Sequence, residues 1–332
     1  LAVPFFKGGE KMAKLIAQYQ DGEEMQLFAL IKEAAAKTTS AGKPYLALTL
    51  ADASGEIGGM RWDAAPKDIA ELQAGKVVSV KGQRETYRDR PQIKIETIRL
   101  AGDDEPHDPL LFVPRAPETT AQLKAGFREF FDLIDEPVWK KIAGHLFSKH
   151  GDKLFSYPAA KSNHHAFVGG LAFHTLSILR LARSVEAQYP GINAALLYTG
   201  AMLHDLGKTI ELSGPIATQY TVMGNLIGHI SLLDGEIVQA CDELDLDPEA
   251  PKVILLRHMI LSHHGLLEYG SPARPQLLEA EILHQLDELD ASIMTIQTAL
   301  RQTAPGEYTD RLFSLDNRRF YRPTNEETLK KS

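Results

Sequence analysis

The sequence predicts two domains of different class: an N-terminal five-stranded β-barrel, then an all-α helical bundle. Three observations carry this. Apolar residues alternate along Tyr45-Leu46-Ala47-Leu48-Thr49-Leu50, the period of a half-buried strand. From Leu123 onward they recur at helical spacing, as in Leu123, Phe127, Phe130, Phe131 and Ile134. Between the two patterns, Gly102-Asp103-Asp104-Glu105-Pro106 with Pro109, Pro114 and Pro117 reads as a linker. A chain of 332 residues can bury two cores.

The barrel elements follow in order. Residues ~24–100 read as β. Leu46, Leu48 and Leu50 mark the buried face of one strand, Asp52-Ala53-Ser54-Gly55 a turn, and Glu56 to Trp62 the next strand. Pro66 to Leu72 is a short helix. Lys76 to Gly82 and Gln92 to Glu96 pair around Asp89-Arg90-Pro91. Five strands with a helix between the third and fourth describe an OB-fold. The expected bounds are 12–101 for this domain, 102–117 for the linker, 118–323 for the helical domain and 324–332 for a tail. Residues 1–11 read as an upstream extension with no role.

The helices have readable ends. Thr119 to Ile134 and Val138 to Lys149 come first. His174 lies on a helix running to about Gln188, stopped by Tyr189-Pro190-Gly191. Asn193 to Leu206 is an apolar helical run with Gly207 as its stop. Met223 to Leu244 carries His229, and Pro251 to His263 has proline at its first turn. Pro275 to about Arg301 places His284, Asp287 and Asp290 on one face. Asp316 to Pro323 mixes cations and aromatics, suited equally to a nucleic acid or to its own domain.

Composition excludes some classes. No apolar run reaches the about 18 residues that span a bilayer, so no membrane partner is expected. The start does not read as a signal peptide. Cys241 is the only cysteine, sits in an apolar helical pattern and points to the cytoplasm. The net charge of −8 speaks against nucleic acid, but its distribution does not. Residues 12–101 hold 13 basic and 12 acidic residues, and 76–99 hold seven basic against three acidic. Such a strip, with Lys81, Arg84, Arg88 and Arg90, can hold a phosphate backbone. Tyr45, Trp62 and Tyr87 could stack bases beside it.

The chemistry-bearing residues fall in the C-terminal half. His204-Asp205 is a nitrogen–oxygen pair suited to a borderline or hard divalent metal. His174, His229, the pair His263-His264 and Asp287 each sit on a separate predicted helix or at its end. His145, His150, His258 and His284 read as hydrogen-bonded core residues, and His107 as exposed and inert.

This order resembles the HD-domain metal-dependent phosphohydrolases in their two-metal form. The resemblance implies one metal on His174, His204, Asp205 and Asp287, and a second on His229, His263 and His264, with Asp205 bridging. It favours Asp287 over Asp290 through Asp287-Glu288-Leu289-Asp290-Ala291, leaving Asp290 a supporting role. It further implies a metal-activated hydroxide attacking phosphorus, with Lys208 and His164 or His165 steadying phosphate oxygens. The stretch after His263-His264 lacks the Gly-Tyr-Pro signature of cyclic-dinucleotide hydrolases.

Gly42 to Asp52 with Gly55, Ile57 and Trp62 is similar to anticodon-binding-type OB domains. Taken with Ala159 to Thr175, Leu203 to Lys208, Gly224 to Ile230 and Ile260 to Gly265, the chain resembles the YhaM-type 3′-5′ exoribonucleases. That family implies Mn as the metal, with Fe, Co, Ni, Zn or Mg as substitutes. It also implies release of 5′-mononucleotides from single-stranded RNA, and in some members DNA. A homo-oligomer is allowed. Two alternatives stay open: an HD phosphohydrolase acting on a free or cyclic nucleotide, and an RNA-binding protein whose metals are structural.

Overall fold

The computed structural model describes residues 14–88, 90–161 and 165–324. The suspected extension at 1–11, His164, and almost all of the tail at 324–332 lie outside the described residues. The chain divides into two compact units, 1–115 with 215–218, and 116–214 with 219–332. Each builds its own core.

In the first unit β1 (Glu24–Thr38), β2 (Pro44–Asp52), β3 (Gly55–Trp62), β4 (Val77–Tyr87) and β5 (Arg90–Leu100) close a barrel in the order β1-β2-β3-β5-β4. Helix α1 (Pro66–Glu71) lies between β3 and β4. This is the OB-like architecture expected from the strand count. Alternation does the sorting: Leu46, Leu48 and Leu50 of β2 are buried with Met25, Ile57, Val78 and Ile93. The expected linker is not featureless. Phe112 is buried against Leu30 and Val77, with Ile216 packed beside them.

The second unit is helical: α2 (Thr120–Leu133), α3 (Pro137–Leu154), α4 (Gly170–Gln188), α5 (Ala194–Leu203), α6 (Lys208–Glu211), α7 (Val222–Leu226), α8 (His229–Glu243), α9 (Pro251–Ser262) and α10 (Leu278–Gln302). Helix α5 is its axis. Every residue from Ala195 to Leu203 is buried, and the helix packs against α2, α3, α4, α9 and α10. Its N-terminus is capped by the Asn193 side chain, which accepts from the Leu196 N–H. Cys241 lies in the same core.

Two differences from the sequence expectation, both in the helical unit, bear on the candidate ligands. Helix α5 ends at Leu203, not Leu206. From there Leu206 N–H donates to the Leu203 carbonyl, Lys208 N–H to Asp205 and Thr209 N–H to Leu206, a tightened turn that carries His204 and Asp205. Gly207 is not a stop: its φ of −59° is ordinary helix. It is needed for space, since a Cβ there would lie 2.2 Å from the His229 carbonyl oxygen. The run from Met223 to Leu244 is two helices. It breaks at Gly228, whose φ of +77° suits only glycine, and His229 then opens α8.

Candidate metal centre and nucleic-acid interface

Five helices and the turns that follow them deliver the predicted ligands to one place. His174 comes from the second turn of α4, His204 and Asp205 from the turn after α5, and His229 from the first residue of α8. His263 and His264 follow α9, and Asp287 lies mid-way along α10. The five imidazoles share one device: each Nδ1 is committed to an acceptor behind it. His174 donates to Asp290 Oδ2 at 2.7 Å, His204 to the Ala201 carbonyl at 2.8 Å and His229 to Glu211 Oε1 at 3.1 Å. His263 donates to the Ile260 carbonyl at 2.7 Å and His264 to the Tyr269 carbonyl at 2.8 Å. A hydrogen bond at Nδ1 fixes the tautomer and turns the Nε2 lone pair outward from that contact.

The inward atoms form two sets that share Asp205. His174, His204 and Asp205 bring one ligand atom each within 4.8 Å of the others, and so do Asp205, His229, His263 and His264. Asp287 Oδ1 lies 3.1 Å from His174 Nε2. Asp205 faces both ways: Oδ2 is 3.5 Å from His174 Nε2 and from His204 Nε2, while Oδ1 is 3.3 Å from His229 Nε2. Asp205 Oδ1, His229 Nε2 and His263 Nε2 are buried and make no hydrogen bond. Three buried polar atoms without partners would cost several kcal/mol together. They converge as nitrogen and carboxylate donors, so the residues fit a divalent cation. A third group, His165 with His174 and Asp290, is different: its polar atoms bond to one another at 2.7 Å.

Electrostatics agree with this division. Burial pushes the His263 and His264 pKa values down, and neighbouring imidazoles push the same way, so both present lone pairs at neutral pH. Burial also opposes charge on His174, but Asp287 and Asp290 on its two nitrogens outweigh it and raise its pKa to about 10. A proton and a metal compete for such a nitrogen. Asp205 stays ionised although buried, because Lys208 and His204 lie beside it.

Residues 171–292 match the family model described as the HD domain. The helical unit contains an HD domain. The match takes in all seven candidate ligands and Lys208, and this domain class is a metal-dependent phosphohydrolase that binds divalent metals. Two solved structures are similar to part of the chain. A domain of replication protein A from Methanococcus maripaludis matches at 20% identity over 28% of this chain and 99% of that one, with a TM-score of 0.23. A replication protein A heterotrimer bound to single-stranded DNA matches at 18% identity over 28% and 69%, with a TM-score of 0.21.

A cavity of about 720 Å³ in the HD domain unit opens on this centre, with Lys208, His229, His264 and Asp287 in its wall. Lys208 Nζ donates to Asp205 Oδ2 at 2.8 Å, so it is tied to the bridging carboxylate as well as facing the cavity. His165 departs from expectation. Its side chain is fully buried, with Nε2 on Asp290 Oδ2, and it has no surface from which to touch a phosphate. It acts on Asp290, and through Asp290 on His174. Asp290 is thereby used up behind His174, which leaves Asp287 as the carboxylate on the Nε2 side.

One residue in the wall, Glu211, was not singled out in the sequence, and a second, His284, is hydrogen-bonded as expected but also lines the cavity. Glu211 accepts from both the backbone N–H and the Nδ1–H of His229, each at 3.1 Å, and its pKa is lowered because His229 outweighs burial. His284 donates to the His263 carbonyl at 3.1 Å and reaches the cavity.

On the barrel, Tyr45 and Trp62 are cross-strand partners with ring centroids 5.0 Å apart, and Trp62 is 55% exposed. Lys37 is the next partner of Tyr45 on β1. Tyr87 is 57% exposed, with the Arg88 guanidinium 5.3 Å from its ring centre. The expected basic strip is only partly free. Lys81 pairs with Glu24 at 2.8 Å. Arg84 is structural, donating at 2.7 Å to the Tyr19 carbonyl and holding the segment before β1. The two aromatic groups are also not one platform. β3 and β5 run parallel with Gly58 opposite Gln92, which puts Arg90 near the start of β3 and Trp62 at its end, roughly 20 Å away by strand rise.

Proposed function

We propose that the protein is a metal-dependent phosphodiesterase that shortens single-stranded RNA from its 3′ end, releasing 5′-mononucleotides, with single-stranded DNA as a second substrate. The observation that carries the reading is the convergence of Asp205 Oδ1, His229 Nε2 and His263 Nε2, buried and unpaired, beside a cavity large enough for a nucleotide. The HD domain supplies the reaction class. Polymer as substrate, and RNA in particular, follow from the OB-like barrel with its exposed Trp62 and Tyr87 and from the YhaM-type resemblance, which also gives the polarity.

His174, His204, Asp205 and Asp287 would hold one divalent metal, and His229, His263 and His264 the second, with Asp205 between them; Mn fits such a mixed nitrogen–oxygen set. When bound, these metals supply a nucleophile at neutral pH and neutralise phosphate oxygens. The chain's own part is positional. The hydrogen bonds at the five Nδ1 atoms hold the imidazoles in one orientation. Lys208 keeps Asp205 ionised, and its ammonium in the cavity wall attracts the scissile phosphate. Trp62 and Tyr87 stack bases at separate places on the barrel, while Arg88 and Arg90 contact the backbone beside Tyr87.

The test is a single-stranded RNA labelled at its 5′ end, incubated with the full chain and Mn. A ladder shortening from the 3′ end, absent with EDTA, is expected. Intact RNA under Mn, Mg and Co, together with cleavage of a mononucleotide, would replace this reading with a nucleotide phosphohydrolase.

A further inference from the structure

Helices α2 and α3 enclose a groove of about 770 Å³ that takes no part in the metal centre. Its floor includes Met202 of α5. Met202 precedes His204 by two residues, about 200° around a helix, so groove and metal cluster lie on opposite sides of α5.

The groove is built from one face of each helix. On α2, Lys124, Phe127, Arg128 and Phe131 follow helical spacing. On α3, Gly144, Phe147, Ser148 and Gly151 do the same, and Phe155 at its C-cap continues the row. Four phenylalanines therefore meet across it, Phe127 lying 6.0 Å from Phe147 and 5.2 Å from Phe155, and Phe131 6.3 Å from Phe147. The two glycines make the room. A glycine inside a helix is destabilising relative to alanine. Yet a Cβ at Gly151 would meet nothing within 4 Å, so local packing does not require the glycine.

The rim is cationic. Lys124, Arg128, Lys149 and Lys153 line the groove against Asp132 and Asp152, in a chain whose net charge is −8. Lys149 is engaged by Glu236 at 2.7 Å, and Lys124 lies 5.3 Å from the Phe155 ring centre. Arg128 and Lys153, one on each helix, make no ion pair among the described residues. An aromatic floor asks for a ligand with a π-face, and two unpaired cations at its edge ask for an anion on the same ligand.

The geometry points to a second nucleotide site here, its base against the phenylalanines and its phosphate at Arg128 and Lys153. The chemistry is shared by a free 5′-mononucleotide and by one nucleotide of a bound strand. The site rests on neither the metal centre nor the nuclease reading.

The test titrates 5′-AMP, and separately a short oligoadenylate, into the full chain by calorimetry with EDTA present, so that the metal centre does not contribute. Saturable one-to-one binding of 5′-AMP is expected, weaker for ribose 5-phosphate and for adenosine, which each lack one half of the ligand. Gly151→Leu should abolish it while the thermal midpoint is kept, because the side chain enters open groove. Arg128→Glu with Lys153→Glu should weaken it at least about tenfold, the low end for a hydrogen bond to a charged group; this pair decides the matter if Gly151→Leu fails to fold. Tighter binding of the oligomer than of AMP, lost in the same variants, assigns the site to a strand; equal binding assigns it to the free nucleotide. 5′-AMP binding that survives Gly151→Leu, or no binding of either probe that Gly151→Leu removes, overturns the proposal.

Discussion

Asp205 is the residue on which the centre turns. Its two oxygens face two different histidine sets, and Lys208 compensates its charge. Asp205→Ala should remove turnover and bound metal together while leaving RNA binding by the barrel unchanged; retained hydrolysis would contradict the assignment. Glu211 makes a finer prediction. A carboxylate behind a ligating histidine is typically worth 10–100-fold in metal affinity, so Glu211→Gln should weaken one of two metal-binding steps by about that factor. Equilibrium titration with Mn reads it, and an unchanged affinity for both steps would make Glu211 a helix-packing group only. The convergence of the seven predicted residues was legible through the adjacent pairs His204-Asp205 and His263-His264 and the HD-type order in which the others follow. Glu211 was not, since a glutamate three residues after Lys208 looks like a solvated face. Its burial comes from glycines elsewhere: Gly224, whose Cβ would sit 2.2 Å from the Glu211 carbonyl oxygen, and Gly207 against His229.

At the scale of elements, alternation and helical spacing gave the strands and helices, and the breaks escaped. Gly207 read as a helix stop but serves close packing, and Gly228 split a run that periodicity joined. The barrel carries a similar hidden feature. β4 shifts register against β5 between Lys81 and Gly82, and a Cβ at Gly82 would lie 2.2 Å from the Lys94 carbonyl oxygen. The clash is with backbone, which cannot swing aside. Gly82→Ala should therefore destabilise the barrel by about 1–3 kcal/mol, the usual cost of overpacking. Denaturant unfolding followed by Trp62 fluorescence measures it, and a midpoint equal to the parent's would refute the close approach. Arg84 shows the opposite limit: its charge was plain in the sequence, but only the fold revealed that the Tyr19 and Ile16 carbonyls occupy it.

For the whole molecule, the proposed function divides as the cores do, binding to the barrel and hydrolysis to the HD domain. Trp62→Ala should weaken single-stranded RNA binding by about 1–3 kcal/mol while hydrolysis of a small phosphodiester proceeds at the parent rate. Equal loss of both would contradict that division. Chelation should act on the other unit, lowering the melting temperature of the helical core by removing a ligand bound only when folded. The central claim is that Asp205 bridges two metals. Its most direct measurement is the metal content of the purified chain by mass spectrometry after equilibration with Mn. The account predicts two ions per chain, and none retained in Asp205→Ala. A single ion in the parent protein, or metal retained in full without Asp205, would contradict it.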